Sequence, residues 1–173
     1  GVTDTTKAKR LLEKSAGEGD AFALRVLGDL HFDGRGVRQS GTKAMDYYVK
    51  AWRKGDVEAG AQVAHMLYTG DGGVGVNQRV AFDGFRYAAE AGHPVAQRRL
   101  AVLYRGGRVV HRQPGLAHAW FTIAAESGDA RAKDALRDTG SALSRDERVI
   151  AERELPKLRA KVEATLKRLA ALR

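Results

Sequence analysis

The sequence has no cysteine, only three prolines, and no apolar run near the roughly 20 residues that a membrane-spanning helix needs. The missing cysteines exclude disulfide scaffolds, thiolate-bound zinc, iron–sulfur clusters and thiol nucleophiles. Three prolines are too few for a Pro-rich linker. The 173 residues suffice for one domain, or for one compact array of repeats, with an apolar interior.

Basic residues outnumber acidic ones. The chain carries 30 Lys and Arg against 21 Asp and Glu, a formal net charge of +9, which suits an acidic protein, an anionic lipid or nucleic acid. Residues 156–173 hold six basic residues and one Glu, so this tail accounts for +5 of the +9 and the rest of the chain for +4. The compartment stays open, because a cysteine-free chain suits the periplasm, the cell envelope and the cytoplasm alike.

Four of the 20 glycines mark an internal repeat of about 36 residues. Gly19, Gly55, Gly92 and Gly128 lie 36, 37 and 36 residues apart. Alanines eleven residues before and four residues after each glycine keep the same spacing: Ala8, Ala44, Ala81, Ala117, Ala23, Ala59, Ala96 and Ala132. We number the four copies 1 to 4 in chain order.

Each copy is predicted to form a first helix, a tight glycine turn, a second helix and a longer glycine loop. Apolar residues of the first helices follow the 3.6-residue period and predict one buried face per helix, in copy 1 at Ala8, Leu11, Leu12 and Ser15. The residue after the turn glycine is a good N-cap in three copies: Asp20, Asp56 and Asp129. Second helices are predicted over residues 21–32, 57–68 and 94–104 and from about residue 130.

The repeat pattern stops after Leu136. Ser144 and Glu147 have the spacing of a capping box, which predicts a further helix, and Pro156 is expected to break or kink it. Beyond Pro156 an apolar stripe follows: Leu158, Val162, Leu166, Leu169 and Leu172. We therefore expect a repeat array over residues 1–140 and a C-terminal segment over residues 141–173. That segment either caps the last repeat or docks on a partner or on a second copy of the protein.

The repeat resembles the Sel-one-like repeat family, a branch of the tetratricopeptide superfamily. The resemblance covers about residues 6–138, departs from the pattern at Trp52, Gly84 and Val109, and rests on matching residues: Lys43-Ala44, Tyr47-Tyr48, Lys50-Ala51, Trp120-Phe121, Ala124-Ala125, Leu27-Gly28, Tyr104 and Gly34-Arg35-Gly36-Val37. It implies an all-α fold, a right-handed solenoid of about four antiparallel helix pairs with an extra C-terminal helix. It also implies a protein-binding function without catalytic residues, and it suggests a bacterial regulatory, secretion or envelope protein.

Residues 70–75 spell G-x-G-x-x-G, the form of a dinucleotide-binding loop. That fold needs a preceding strand, whereas a helix is predicted up to residue 68, so we interpret the stretch as a repeat loop. The five histidines have no metal-ligand spacing, and no G-x-S-x-G nucleophile motif occurs. We therefore expect no metal, no cofactor, no small-molecule substrate and no enzyme activity. The aromatic residues are assigned to packing faces, which does not favour nucleic acid binding.

The resemblance places the partner-binding side on the first helices, which line the concave face of such arrays. Positions one and five residues after the buried alanines turn about 100° and 140° away from them. These positions are the predicted contacts: Lys9, Glu13, Met45, Val49, Phe82, Arg86, His118 and Thr122. Packing between adjacent repeats is the alternative for Met45, Val49 and Phe82.

The sequence thus predicts a non-enzymatic scaffold or adaptor for a protein or peptide. Two alternatives remain open. One is an electrostatic adaptor that contacts nucleic acid or anionic surfaces through the basic C-terminal helix, and the other is a small enzyme or nucleotide-binding domain that uses a glycine loop. The partner and the oligomeric state stay open.

Overall fold

A computed structural model describes residues 2–171, with side chains from residue 7 onward; the predicted stripe residue Leu172 lies outside the described part. In this part the chain forms nine α-helices, one turn of 3₁₀ helix at Asp71–Gly73, and no strand. The helices are α1 (Val2–Gly17), α2 (Ala21–Asp33), α3 (Gly41–Arg53), α4 (Val57–Thr69), α5 (Gln78–Glu90), α6 (Pro94–Gly106), α7 (Pro114–Glu126), α8 (Ala130–Ala142) and α9 (Arg145–Ala170). They pack as two compact units, Gly1–Ala81 and Phe82–Arg173. The predicted division after residue 140 stays a prediction.

Each turn between a first and a second helix combines a left-handed glycine with a capping side chain. The predicted glycines have φ of +91°, +93°, +85° and +97°, at Gly19, Gly55, Gly92 and Gly128. A side chain in the next position accepts a hydrogen bond from the backbone N–H three residues on, at 2.8–3.1 Å, from Asp20, Asp56, His93 and Asp129. The predicted turns and N-caps are confirmed.

The core of the first unit forms where α3 packs against α2. The Tyr48 ring lies so close to Gly28 that a Cβ there would be 2.6 Å from the ring. The Tyr48 hydroxyl donates to Asp29 Oδ1 at 2.8 Å, and burial together with this carboxylate raises the pKa of Tyr48 well above its usual value. Leu24, Ala44 and neighbouring apolar side chains complete the cluster.

The predicted buried face of α1 is wrong in part. Ala8 is exposed and Leu11 is 60% exposed, although Leu12 and Ser15 are half-buried. The corresponding alanines of the other copies, Ala44, Ala81 and Ala117, are at most 1% exposed. In α3 and α7 a preceding second helix covers this face, while α1 packs against α2, the helix that follows it.

Helix α7 lies at the centre of the second unit. It packs against α6, α8 and α9, and its Trp120 and Phe121 are buried. Helix α6 also contacts α5, because Gln97 Nε2 of α6 donates to the Ala89 carbonyl of α5 at 3.1 Å. Helix α7 therefore provides the surface on which the C-terminal helix rests.

Helix α9 begins at the predicted capping box. The Ser144 N–H donates to Glu147 Oε2 at 2.8 Å, which holds the pKa of Glu147 below its usual range, and the Glu147 N–H donates to Ser144 Oγ at 3.3 Å. Of the two outcomes expected at Pro156, the break is wrong, because α9 runs through Pro156 as one helix, and the kink stays a prediction. Proline removes one backbone hydrogen bond, and contacts of α9 with α7 on both sides of Pro156 offset that loss.

Candidate partner-binding cleft

An open cleft of about 350 Å³ lies between α1 and α3 in the first unit. It is lined by Lys9, Glu13, His31, Lys43, Asp46, Tyr47 and Lys50. An adjoining recess of about 250 Å³ shares Glu13, Tyr47 and Lys50 and adds small and apolar residues: Ala16, Gly17, Leu24 and Leu27. The two together form a surface with charged walls and a partly apolar floor.

One wall of the cleft is a pre-arranged stack of side chains. The rings of His31 and Tyr47 lie nearly parallel, 12° apart, with their centroids at 5.5 Å. Lys50 Nζ lies 5.7 Å from the Tyr47 ring centroid, within the range of a cation–π contact. The Nδ1 atom of His31 is buried and has no hydrogen-bond partner among the described residues. The ring that a ligand would meet is therefore already held in place.

The charges of the cleft are only partly paired. Lys9 Nζ lies 3.7 Å from Glu13 Oε1, one helical turn along α1, so these two charges largely neutralise each other. Among the described side chains, neither Lys43 nor Lys50 has a carboxylate oxygen within the 4.0 Å of an ion pair. The ammonium groups of Lys43 and Lys50 therefore lie at the cleft without a carboxylate partner, and a ligand could supply one.

The predicted contact residues are distributed unevenly. Lys9 and Glu13 line the cleft. Met45 and Val49 are half-buried against the core of the first unit. Phe82 is only 5% exposed and meets Tyr104 edge-on, with ring centroids 5.6 Å apart. These three apolar residues pack against neighbouring side chains, as the packing alternative expects, and therefore offer a ligand little surface.

The last three predicted contacts lie in the second unit and do not line the cleft. Arg86 is exposed and pairs with Asp83 at 3.2 Å on its own helix. His118 Nδ1 is 3.1 Å from Thr139 Oγ1, and Thr122 Oγ1 donates to the His118 carbonyl at 3.0 Å. Burial lowers the pKa of His118, and the positive charge of Arg148 lowers it further. The binding role of all eight residues stays a prediction.

Sequence reasoning missed His31 and the α3 wall of the cleft, which is formed by Lys43, Asp46, Tyr47 and Lys50. The prediction takes the same two offsets from the buried alanine on every first helix. On α1 those offsets point toward α3, but on α3 the residues that point back toward α1 lie one before and two, three and six after Ala44. A helical wheel of the two neighbouring helices drawn together was the signal that could have found them.

The predicted docking residues of α9 face the second unit to different degrees. Val162 is 9% exposed, Leu158 and Leu169 are half-buried, and Leu166 is 47% exposed. Arg159 pairs with Glu126 of α7, and Lys161 Nζ lies 2.7 Å from Glu90 Oε1 of α5. Leu166 also reaches Gly92, where a Cβ would lie 3.1 Å from Leu166 Cδ2. In this structure α9 therefore covers first-helix residues of its own chain.

The G-x-G-x-x-G stretch follows helix α4 and includes the 3₁₀ turn. Its backbone lies directly against α3, because a Cβ on Gly41 would overlap the Gly72 backbone. In the described residues no group of three or more His, Asp and Glu could hold a metal ion. No helix of this part of the chain is both long and apolar enough to cross a membrane.

Comparison with known families decides the family. The Sel1 repeat model matches residues 1–20, 21–56, 57–93 and 94–129, three quarters of the chain. The chain belongs to the Sel1 repeat family. Each matched segment ends at or next to a turn between a first and a second helix, so the family unit is displaced by one helix from the copies numbered above. Members of this family generally mediate protein–protein interactions and are typically non-enzymatic scaffolds.

Solved structures agree on the fold. A Sel1 repeat protein from Oxalobacter formigenes is 26% identical, with a TM-score of 0.67, and the match covers 78% of this chain and 58% of that one. A protective antigen present in uropathogenic Escherichia coli strains, displaying an SLR fold, is 28% identical with a TM-score of 0.82, covering 97% of this chain and 36% of that one. The chain thus spans only part of both relatives. No curated protein matched. The predicted all-α helical-repeat fold is confirmed.

Proposed function

We propose that this Sel1 repeat chain is a non-enzymatic interaction module that holds a peptide segment of a partner protein in the cleft between α1 and α3. The observation that carries the proposal is the cleft itself: a recess lined in part by small and apolar residues, next to the stacked pair of His31 and Tyr47, and flanked by two lysines without a carboxylate partner. Binding energy at protein interfaces concentrates where an anchor side chain enters a pocket surrounded by polar groups.

The dimensions of the cleft favour a peptide over a folded surface. The cleft, at about 350 Å³, lies in the size range of ligand pockets, and the adjoining recess of about 250 Å³ extends it. The accessible part of the recess is Ala16, which is half-buried, and Gly17, which is exposed, above the buried Leu24 and Leu27, so an apolar anchor would pack there without displacing the core. The charged side chains at the rim would then fix the direction of the bound segment.

The electrostatic-adaptor alternative receives less support. The basic residues Arg159 and Lys161 of α9 form ion pairs with carboxylates of the same chain. A basic helix whose charges are already paired attracts an external polyanion less strongly. The cleft is therefore the better candidate for the interaction.

The test uses peptides selected from a random display library on the immobilised protein. Gly17 lines the recess, and nothing lies within 4 Å of the Cβ that it lacks, so Gly17→Phe should fill the recess without disturbing the fold. Gly106→Phe is the matched control, because Gly106 also ends a helix and also has free space around it.

We expect Gly17→Phe to weaken the selected peptides at least tenfold in fluorescence anisotropy, whereas Gly106→Phe changes their affinity less than twofold. Circular dichroism verifies that both variants keep the parent helix content. If the selected peptides bind parent and Gly17→Phe equally well, the cleft is not the binding site.

A further inference from the structure

The first helices of the two halves of the chain carry opposite charge. Helices α1 and α3 together contain seven Lys and Arg against three Asp and Glu, a surplus of four positive charges. Helices α5 and α7 together contain two Arg against three Asp and Glu, a surplus of one negative charge. A ligand that contacts first helices therefore meets a basic surface in the first unit.

The ion pairs of α9 show how the charge of a first helix determines which segment can pack on it. Its Arg159 and Lys161 pair with Glu126 and Glu90, which stand two residues before the turn glycines of copies 4 and 3. The same position is Gly17 in copy 1 and Arg53 in copy 2. A basic helix like α9 finds an acidic partner at this position of α5 and α7, but at the same position of α1 and α3 it would find a glycine and an arginine.

The α3 wall of the cleft adds a spacing to this charge. Lys43 and Lys50 are seven residues apart on one helix, which places their Cα atoms about 10.5 Å apart along the axis. A peptide in the polyproline II conformation has three residues per turn and rises about 3.1 Å per residue, so side chains three residues apart lie on the same face, about 9 Å from each other. Asp46 lies between the two lysines and would repel a third carboxylate at the middle of the segment.

We propose, building on the proposed function, that the α1–α3 cleft binds an acidic peptide segment with two carboxylates three residues apart and apolar residues between them. Lys43 and Lys50 each bind one carboxylate. An intervening apolar side chain enters the recess above Leu24 and Leu27. The Lys9–Glu13 pair closes the opposite wall without adding net charge.

The experiment compares two fluorescein-labelled peptides that differ only in charge. One carries Glu-Leu-Phe-Glu between Gly-Ser flanks, and the other carries Gln-Leu-Phe-Gln in the same flanks. In fluorescence anisotropy with the full chain at low salt, we expect the Glu peptide to bind at least tenfold more tightly. This preference should shrink as salt rises above about 0.1 M, where the screening length falls below about 10 Å.

Charge-reversed variants assign the preference to the two lysines. Lys43→Glu and Lys50→Glu should each weaken the Glu peptide at least tenfold and the Gln peptide less than threefold. Arg38→Glu is the matched control, since it makes the same charge change at an exposed loop position of the same unit, outside the cleft. It should change neither affinity more than twofold, and circular dichroism verifies that all three variants fold.

The outcomes separate this inference from the function on which it rests. If peptides bind and respond to Gly17→Phe, but the Gln peptide binds as tightly as the Glu peptide, the acidic preference is wrong and the proposed function stands. If no peptide of either charge responds to Gly17→Phe, both are wrong. A labelled twelve-nucleotide oligothymidine that binds more tightly than the Glu peptide, and depends on Lys43 and Lys50, would replace the acidic peptide with a nucleic acid.

Discussion

Gly115 near the start of α7 offers a test in which the sign of the effect reports whether α9 is docked. Gly115 has ordinary helical φ and is buried. In an isolated helix, Gly→Ala is favourable by up to about 1 kcal/mol, because glycine loses more backbone entropy. In this structure a Cβ at position 115 would overlap the carbonyl oxygen of Glu147 and lie 3.0 Å from Ile150 Cβ, both on α9.

The gain in helix propensity and the overlap with α9 act in opposite directions on stability, and the overlap should be the larger effect. Carbon atoms rest about 3.5–4.0 Å apart, so α9 must retreat by about half an ångström or more to accept the methyl group. Overpacking of this kind costs about 1–3 kcal/mol. Set against a propensity gain of up to about 1 kcal/mol, Gly115→Ala should lower the free energy of unfolding by about 1–2 kcal/mol. For a chain of this length each kcal/mol corresponds to about 2–4 °C in melting temperature.

The assay is urea denaturation followed by tryptophan fluorescence in a Trp52→Phe background. The sequence has two tryptophans, so this background leaves Trp120, which is 2% exposed on α7 itself. Gly106→Ala is the control, because nothing lies within 4 Å of its Cβ position, and it should be neutral or stabilising. A Gly115→Ala protein that is as stable as the Gly106→Ala protein would refute the docking of α9 on α7.

Three further predictions concern the turns, the glycine loop and a histidine. Gly55→Val should lower the free energy of unfolding in urea by about 1 kcal/mol or more through backbone strain alone, because φ is +93° and no atom lies near its Cβ position. Calorimetric titration with NAD, FAD or ATP should give no heat. A micromolar affinity abolished by Gly72→Val, in a variant that keeps the parent helix content by circular dichroism, would contradict the assignment of residues 70–75 as a repeat loop. Burial and Arg148 lower the pKa of His118 below its unfolded value near 6.5. The neutral His118 ring therefore contributes its full stability above pH 6.5, and this contribution is lost as the pH falls. His118→Asn should therefore flatten the fall in melting temperature between pH 7 and pH 5.5, and an unchanged pH profile would exclude this role.

Local features of the fold could be predicted from the sequence because their signals are local. A left-handed glycine next to an N-cap residue determines the turn between two helices within four residues, and all four turns form as expected at Gly19, Gly55, Gly92 and Gly128. The Ser144 capping box determines the start of α9 in the same way. Such signals need no knowledge of what the helix packs against.

Burial and the candidate cleft depend on neighbours that the periodicity of one helix does not reveal. The α1 pattern matches that of the other first helices, yet Leu11 is exposed because burial requires a second helix on that side. Phe82 occupies the offset that on α1 belongs to the cleft residue Lys9, yet it is buried against Tyr104. Each prediction used one helix at a time, while the cleft is formed by two helices and by His31 of a third.

A residue of α8 indicates where α9 packs, which the apolar stripe of α9 alone does not indicate. On α2 the residue nine positions after the turn glycine is Gly28, on which the Tyr48 ring of α3 packs, and the same position is small and buried in copies 2 and 3, at Ala64 and Ala101. Copy 4 has Arg137 at this position, with its side chain 78% exposed. A helix packed there as a fifth first helix would bury a guanidinium whose desolvation costs several kcal/mol. Helix α9 instead packs along α7. There Gly115 permits close approach of the two backbones, and Glu126 of α7 pairs with Arg159 of α9.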